Sequence, residues 1–407
     1  MSGDEFGWFV GIDWASTEHE VRLLDASGTD LGRRGVAHTG AGLAELVSWL
    51  REVSGGSLEQ VAVAIELTRG AVIDAVRTAG AVVFAINPKQ LDRFRDRYTV
   101  AGAKDDRRDA FVLADTLRTD RGRYRRLDAE DAQVVAIRAL VEARDELTEE
   151  LTRLSSRLRA QLAEYYPQLL ALCPAADEPW LWALLELAPT PADGARLRPS
   201  RVTQLLRDHR IRRYTAATVV GHLREPALPV TPASIRAAST RVGLLVPRLR
   251  LAHTQHTRCA QQLTAALDAL TSDDPESDAA LLRSLPGVGD AVSAAVLVEA
   301  QALLAARDYA ALRTHAGLAP ITRRSGTRHT VSMRRACSAR LRQAMYYWAL
   351  GSIKHDLQSR AIYRAARERG QSHGRALRGL ANRLVRILMA ILRTRRPYDP
   401  AYRIQAS

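Results

Sequence analysis

Acidic residues in three separated segments have the types and spacing of a metal-dependent phosphodiester site. Asp13 and Glu66 each lie in or just beyond an apolar, strand-like run, where a carboxylate is costly unless it is paired or binds a metal. Asp106 and Asp109, in the segment 104–110, are three residues apart, so a helix there places both on one face. Hard oxygen ligands in this number suit Mg²⁺ or Mn²⁺. Two such ions, roughly 3.5–4 Å apart, can clamp the attacking and leaving oxygens of a phosphoryl transfer.

Each of these acids also has a structural alternative. Asp13 could end its strand as a turn or cap residue, and Asp106 and Asp109 could be solvated helix acids paired with the arginines between them. Glu66, in the context Ala-Ile-Glu-Leu, is the hardest to explain without a partner. Of the acids in the segment 104–110, Asp105 is the one expected to take no part in the site. The set of four is therefore more informative than any single member.

The elements that must position these acids alternate between strands and helices. Apolar or alternating runs predict strands at 8–15, 19–24, 31–38, 60–66 and 81–86. Helical spacing predicts helices at 40–53, 69–79, from 87 onward and at 105–118. The order βββαβαβα suits a mixed sheet covered by helices. Because open sheets place their sites at strand ends, Asp13 and Glu66 are expected to face one crevice.

Positive charge is concentrated in the last quarter of the chain. The net charge is +14, but residues 311–407 alone hold 21 Lys+Arg against 3 Asp+Glu, which leaves 38 against 42 for residues 1–310. An arginine-rich coding bias explains why arginine replaces lysine, but it does not explain the scarcity of acids. Such asymmetry is typical of a surface that neutralises phosphates, so we expect a nucleic-acid partner.

Length and composition restrict the class of protein further. With 407 residues and 46% hydrophobic composition, the chain can bury two or three domain cores. No apolar run reaches the roughly 20 residues needed to span a bilayer, and the N-terminus lacks the features of a signal peptide. We therefore expect a cytoplasmic protein without a membrane partner. Cys173, Cys259 and Cys337 are far apart and odd in number, which indicates neither a disulfide framework nor a zinc site.

Beyond residue 120 the pattern becomes helical. Apolar spacing over 132–169 and 234–270 predicts two long antiparallel helices. They resemble a coiled-coil stalk or bundle that could join chains into a dimer or tetramer, although a purely structural role is the alternative. The Pro- and Trp-rich stretch 173–232 is predicted as an inserted subdomain. The expected domains are 1–125, 126–280 and a mostly helical 281–407.

A Pro-Gly-Val-Gly turn lies between two apolar helical segments. This is the sequence form of a helix-hairpin-helix, in which backbone N–H groups around Gly287 and Gly289 can hold a phosphate. An ordinary tight connection between helices is the alternative.

Ser325 lies on a predicted turn or loop that follows Pro320. A serine there could attack a phosphate whose charge the neighbouring arginines neutralise, although serines in such loops more often only contact backbone phosphate. The flanking arginines are Arg323, Arg324, Arg328, Arg334 and Arg335.

In their order along the chain, these motifs resemble those of the DEDD-type insertion-sequence transposases, the family of bridge-RNA-guided recombinases of bacterial mobile elements. The matching segments cover roughly residues 8–120 and 281–350. They are Gly11-Ile-Asp13, Ile65-Glu66, Lys104-x-Asp106-x-x-Asp109-Ala110, Leu285-Pro-Gly-Val-Gly289 and Ala316-Gly-Leu-Ala-Pro320 followed by Ser325-Gly326.

The resemblance implies a RuvC-like, RNase H-type N-terminal domain and a C-terminal transposase domain whose nucleophile matches Ser325. It implies cleavage and rejoining of donor and target DNA through a covalent phosphoserine intermediate, guided by an element-encoded RNA. It also implies Mg²⁺ or Mn²⁺ held by four matching acids: Asp13, Glu66, Asp106 and Asp109.

One residue and one short segment depart from the family pattern. Asp105 occupies a place where the family often has a small hydroxyl residue, and Ser332-Met-Arg-Arg replaces the commoner Ser-Lys-Arg-Gly. Ser332 therefore remains a rival nucleophile to Ser325. Two other functions also stay open: a RuvC-like Holliday-junction resolvase or nuclease that uses metal-activated water, and a non-catalytic nucleic-acid-binding scaffold.

Overall fold

The computed structural model describes residues 6–95, 106–129, 131–272, 274–325 and 328–400. Three positions singled out in the sequence lie outside these ranges: Lys104, Asp105 and Gly326. Four others are described for their backbone alone: Asp106, Arg323, Ser325 and Arg328. The chain divides into two compact units, Met1–Glu130 and Asp131–Ser407, and each is described by itself. The finer three-domain division stays a prediction.

The first unit alternates strands and helices in the predicted order. Its elements are β1 (Trp8–Asp13), β2 (Glu18–Asp25), β3 (Asp30–Ala37), α1 (Gly40–Ser54), β4 (Val61–Ile65), α2 (Ala71–Thr78), β5 (Val82–Ala85), α3 (Pro88–Arg95), α4 (Asp106–Asp120), a 3-10 turn (Arg121–Arg123) and β6 (Arg125–Arg126). The described strands form one sheet in the order β3-β2-β1-β4-β5-β6. Strands β1, β4 and β5 are parallel and the remaining pairs are antiparallel. The mixed α/β architecture is thus confirmed.

Local side-chain bonds set the ends of these elements. The turn between β2 and β3 is held by the Asp25 carboxylate, which accepts the N–H groups of Ser27 and Thr29. Helix α1 begins after Thr39, whose hydroxyl accepts the N–H of Gly42, and ends at Gly55 in the left-handed region. These are the residue types that turns, N-caps and C-caps favour, which is why the sequence predicts the boundaries well.

The sheet has an apolar layer on each face. Ile12 of β1 packs on one face with Leu46 of α1. On the opposite face, Ala64 of β4 packs with Leu113 of α4. Because successive side chains of a strand alternate between faces, each strand contributes to both layers.

Helix α4 approaches β1 closely because Gly11 has no side chain. A Cβ built at Gly11 would lie 1.9 Å from the carbonyl oxygen of Ala110 and 2.6 Å from the backbone nitrogen of Ala114. The helix backbone therefore packs directly on the strand backbone. Asp13 is two residues beyond Gly11, so it shares the face of β1 that α4 covers.

We expect Gly11→Ala to destabilise this contact, because the added methyl group must push α4 away from β1. The free energy of opening β1 and α4 should fall by about 1–3 kcal/mol, the usual cost of overpacking. Hydrogen exchange of peptides from both elements measures it. Gly122→Ala is the matched control, since a Cβ there meets nothing within 4 Å. Equal protection in the two variants would contradict the prediction.

The second unit is mainly helical. In chain order it contains α5 (Ala132–Tyr165), α6 (Gln168–Leu172), α7 (Pro179–Leu187), α8 (Pro191–Arg196), α9 (Pro199–Asp208), α10 (Ala216–Leu223), α11 (Pro232–Ser272), α12 (Asp278–Arg283), α13 (Asp290–Ala305), α14 (Tyr309–His315), β7 (Ile321–Ser325), β8 (Arg328–Ser332), α15 (Ala339–His355), α16 (Leu357–Glu368) and α17 (His373–Thr394). Strands β7 and β8 form an antiparallel hairpin where the sequence predicted a turn or loop. No helix among the described residues combines the length and apolar character needed to cross a bilayer.

The two long helices expected from the sequence are present and run antiparallel. Val141, in the first half of α5, shares a core with Leu263 near the end of α11. Leu158, in the second half of α5, shares another core with Val246 in the first half of α11. Coiled-coil geometry and a role in joining two chains stay predictions.

The stretch between α5 and α11 is helical, and it shares a core with those two helices. Trp180 and Trp182 are both almost fully buried in this shared core, and a separate subdomain stays a prediction. The indole N–H of Trp182 donates to the carbonyl of Ala176, which satisfies its buried polar atom. The tryptophans of this stretch therefore serve packing.

Candidate active site

Asp13 and Glu66 lie beside each other at one edge of the sheet. Strands β1 and β4 are parallel neighbours, with Ile12 opposite Ile65. Asp13 is the last residue of β1, and Glu66 directly follows β4. Neighbouring strands are about 4.8 Å apart, so the backbone positions of the two acids are neighbours, and their membership of one site stays a prediction. Both side chains are half-buried.

Asp109 reaches the same region from the first turns of α4. Its side chain is almost completely buried, with 1% of the residue exposed. It immediately precedes Ala110, whose carbonyl faces Gly11. Asp106, one turn earlier, begins α4 and lies on the same side of the helix as judged from the backbone.

The guanidinium of Arg95, the last residue of α3, lies among three carboxylates. Its Nε and Nη2 donate to the two oxygens of Asp109 at 2.6 and 2.7 Å. Its Nη1 donates to Asp92 at 2.6 Å, and Nη2 lies 3.7 Å from Glu66 Oε1. Burial alone would lower the pKa of Arg95, but its hydrogen bonds to Asp109 and the surrounding negative charge raise it. Nothing in the sequence singled out this residue.

The donor set suits a divalent cation. Arg95 places a full positive charge between Glu66 and Asp109, and this charge would compete with a metal ion for the same carboxylates. The available ligands are carboxylate oxygens, which Mg²⁺ and Mn²⁺ prefer. An ion bound there would share the carboxylates with Arg95 or displace its guanidinium.

Arg95→Met tests this balance, because it keeps an apolar stem but removes the charge that neutralises Asp109. Without metal we expect a loss of stability on the order of 3 kcal/mol, as for a broken buried ion pair. Added Mn²⁺ should raise the melting temperature of the variant more than that of the parent, because ligands that bind only the folded state stabilise it.

Calorimetry without and with Mn²⁺ measures both the loss of stability in the variant and the rise in its melting temperature on metal binding. The matched control is Arg77→Met, which removes an exposed ion pair to Asp74 at 2.8 Å. If Mn²⁺ raised the melting temperature of the Arg95 variant, the control and the parent equally, Arg95 would not compete with a cation.

The backbone that follows Asp13 is fixed by a buried imidazole. His19 is fully buried on β2, and its Nδ1 accepts the N–H of Ala15 at 3.3 Å. Its Nε2 is then free to donate to His38 Nδ1, 2.9 Å away. Trp14 stacks on the His19 ring with centroids 6.4 Å apart. Burial, with a smaller effect of His38, lowers the pKa of His19 and so favours the neutral imidazole in the folded chain.

The lowered pKa of His19 makes stability depend on pH. An unfolded chain binds a proton at this imidazole near its ordinary pKa of 6.5, whereas the folded chain binds it only at a lower pH. Stability is therefore complete above about pH 6.5 and falls as the pH is lowered towards the folded pKa. His19→Asn keeps an acceptor for the Ala15 N–H but does not titrate, so its stability should change less between about pH 7 and pH 5. Urea midpoints of both proteins across this range test the prediction, and parallel curves would contradict it.

In the second unit, Ser325 and Ser332 lie at opposite ends of the β7–β8 hairpin. Ser325 ends β7 and pairs in register with Arg328 next to the turn. Ser332 ends β8 and pairs with Ile321 at the base. Four residue steps separate the two ends, which is roughly 14 Å. One phosphate in a fixed position could therefore be reached by Ser325 or by Ser332, but not by both.

The arginines near this hairpin are available to phosphates. Arg324 and Arg335 are exposed, and Arg334 is half-buried. Among the described residues, no carboxylate forms an ion pair with any of these three. Unpaired guanidinium groups of this kind bind phosphate oxygens well.

The conformation of Gly287 has a packing explanation. Its φ of 80° lies in the left-handed region, and a Cβ there would lie 2.3 Å from the backbone nitrogen of Ser352 in α15. The indole N–H of Trp348 donates to the carbonyl of Pro286 at 3.2 Å. The turn is thus a close contact between helices, which accounts for the glycine without a ligand.

Gly289 precedes α13 as its N-cap residue, without a side-chain cap bond. In the first turn, the Asp290 carboxylate accepts hydrogen bonds from Thr264 and Arg283. A negative charge is therefore already present at this helix terminus. Phosphate binding by Gly287 and Gly289 stays a prediction.

Among the described residues, three potential metal-ligand side chains lie close enough together to share an ion: Cys173, Asp177 and Glu178. Cys173 Sγ lies 3.8 Å from Asp177 Oδ1 and 3.5 Å from Glu178 Oε1. However, the Glu178 carboxylate already accepts hydrogen bonds from Trp180 and Arg213. Burial raises the pKa of the Cys173 thiol, which disfavours the thiolate that a metal needs. The cluster is explained by its ion pair.

Comparison with protein families identifies the class first. A DEDD transposase model of IS110 elements matches residues 10–167, and a model of the IS116/IS110/IS902 transposase family matches residues 279–364. The two matches cover the acid-bearing unit and the region of Ser325. The protein is therefore a transposase, an enzyme class that processes DNA.

Individual relatives agree over nearly the whole chain. The protein named as the mini-circle transposase for IS117 of Streptomyces coelicolor is 33% identical over 98% of this chain and 97% of its own length. The IS110 43.6 kDa protein of the same species is 30% identical over 96% and 95%. A Sinorhizobium fredii protein named as transposase y4uE is 44% identical, but over 52% of this chain and 60% of that protein. The chain belongs to the IS110 family of insertion-element transposases and acts in DNA transposition.

Proposed function

We propose that this transposase is a recombinase that cuts and rejoins DNA through a covalent bond to Ser325, with carboxylate-bound metal. The observation that supports it is the convergence of Asp13, Glu66 and Asp109 at the carboxyl ends of β1 and β4. The strand order, with three antiparallel strands followed by parallel neighbours, suits a RuvC-like, RNase H-type domain.

The four acids would hold Mg²⁺ or Mn²⁺: Asp13, Glu66, Asp106 and Asp109. A divalent ion supplies Lewis-acid polarisation of the scissile phosphate when bound. The chain itself contributes preorganisation, because the packing of α4 at Gly11 and the bonds from Arg95 hold the carboxylates in place before DNA arrives.

Ser325 would carry out the strand exchange. Its Oγ forms a bond to phosphorus while the bond to the sugar oxygen of the leaving strand breaks, and that oxygen takes up a proton as the serine loses one. A free DNA hydroxyl later attacks the same phosphorus and releases the serine oxygen. The phosphodiester energy is conserved, so joining needs no external energy source. Arg324, Arg334 and Arg335 neutralise the phosphate during both steps.

Partner choice follows from charge and from the family resemblance. The strongly basic last quarter of the chain suits the backbones of both DNA and RNA. We propose that an element-encoded guide RNA pairs with donor and target DNA, so that base pairing selects the sequence.

We also propose that the long helices join chains into a homo-oligomer. Leu244 and Leu251 of α11 support this, because they are 69% and 59% exposed and, being seven residues apart, lie on the same face of the helix.

Ser325→Ala should abolish covalent capture of labelled DNA and lower strand joining by at least about a thousandfold, as for loss of a nucleophile. Binding of co-purified RNA should be unchanged, because the hydroxyl contributes little to the binding charge. Denaturing gels separate protein-linked from free DNA. Ser332→Ala is the matched control at the other end of the hairpin and should retain capture.

Strand joining by the Ser325 variant would exclude it as the nucleophile. Metal-dependent cleavage without any protein-linked DNA in the parent would favour a nuclease that activates water.

Asp106→Asn should remove cleavage, whereas Asp120→Asn at the far end of α4 should not. Activity that survives the Asp106 change would place the metal elsewhere.

A further inference from the structure

A cavity of about 440 Å³ lies in the second unit and takes no part in the proposed strand exchange. Its volume is within the range of about 300–1,000 Å³ that small-molecule sites occupy. Leu318, Met345 and Leu377 line it and are buried, so it has an apolar floor. Leu318 lies just before β7, and Met333, which also lines the cavity, directly follows β8. The cavity is therefore at the base of the hairpin that carries Ser325 at its tip.

One wall of the cavity is aromatic. Tyr346 and Tyr347 of α15 are 40% and 52% exposed, and their rings meet edge to face with centroids 5.5 Å apart. His373 holds this wall in place: its Nε2 lies 3.3 Å from the Tyr346 hydroxyl, and its Nδ1 lies 2.8 Å from that of Tyr363. Exposed aromatic rings held in this way are the usual platform on which unpaired bases stack.

The rest of the lining is positively charged. Arg342 of α15 and Arg378 of α17 both line the cavity, and among the described residues neither forms an ion pair with a carboxylate. Helix α17 begins beside them, with no acidic residue in its first turn and no side-chain bond from its N-cap residue Ser372. Unpaired guanidinium groups next to an open helix N-terminus attract phosphate.

We propose that this cavity receives an unpaired nucleotide of the DNA strand being processed. Its base lies on the apolar floor against Tyr347, and its phosphate lies between Arg342 and Arg378. An apolar floor, an aromatic wall and unpaired cations together match the three parts of a nucleotide. The choice of DNA rests on the proposed function, because the same hairpin holds Ser325 roughly 14 Å from its base.

The test uses the full-length protein and a single-stranded DNA oligonucleotide that contains 2-aminopurine, whose fluorescence falls when the base stacks. Tyr347→Ala should weaken binding by about 5- to 150-fold, the range found when one stacking ring is removed. Tyr347→Trp should restore binding, because it keeps a stacking surface. Arg378→Gln should weaken binding more than Arg364→Gln, which removes the same charge from an exposed position of α16 outside the cavity lining.

Several outcomes would overturn the proposal. Unchanged affinity of Tyr347→Ala, or an equal loss for duplex and single-stranded DNA, would show that the cavity does not take an unpaired base. If the fluorescence of 2-aminopurine fell in an RNA probe but not in a DNA probe of the same sequence, DNA would be excluded as the occupant. The assay measures binding of a single strand and requires no strand joining. Failure of the cavity and failure of the serine mechanism are thus distinguishable.

Discussion

Direct contact between the backbones of α4 and β1 constrains the whole first unit. Because Gly11 has no side chain, the carbonyl of Ala110 lies against the strand, and the neighbouring Asp109 is carried into the interior. A buried carboxylate needs a positive partner, which Arg95 supplies from the end of α3. The position of one glycine therefore determines the depth of a carboxylate and the need for a nearby cation.

The sequence predicts the parts of the site that follow from local rules. Asp13 and Glu66 could be placed because apolar strand-length runs precede both, and parallel strands end at one edge of a sheet. Arg95 could not be placed, because its role depends on where α3 lies relative to α4 in space. The β7–β8 hairpin was also missed, since its arginines hide the alternation that indicates a strand.

Gly287 and His19 also have roles that the sequence alone does not predict. The Pro-Gly-Val-Gly turn predicts a phosphate contact, which stays a prediction, but it does not reveal that Gly287 packs against the backbone of α15, a partner more than sixty residues away. His19 gave no signal, although it fixes the backbone beyond Asp13 through Ala15 and His38. Both roles come from tertiary neighbours, which periodicity and residue type do not report.

Arg95 also bears on the order of folding and metal binding. Since the guanidinium neutralises Asp109 within the chain itself, the charge of this buried carboxylate is balanced without an ion from solution. An intramolecular cation is present at a high effective concentration, so it would compete with a free ion for the same carboxylates. A metal ion would therefore bind to a unit that is already folded, and it would have to share or displace a guanidinium that the chain itself supplies.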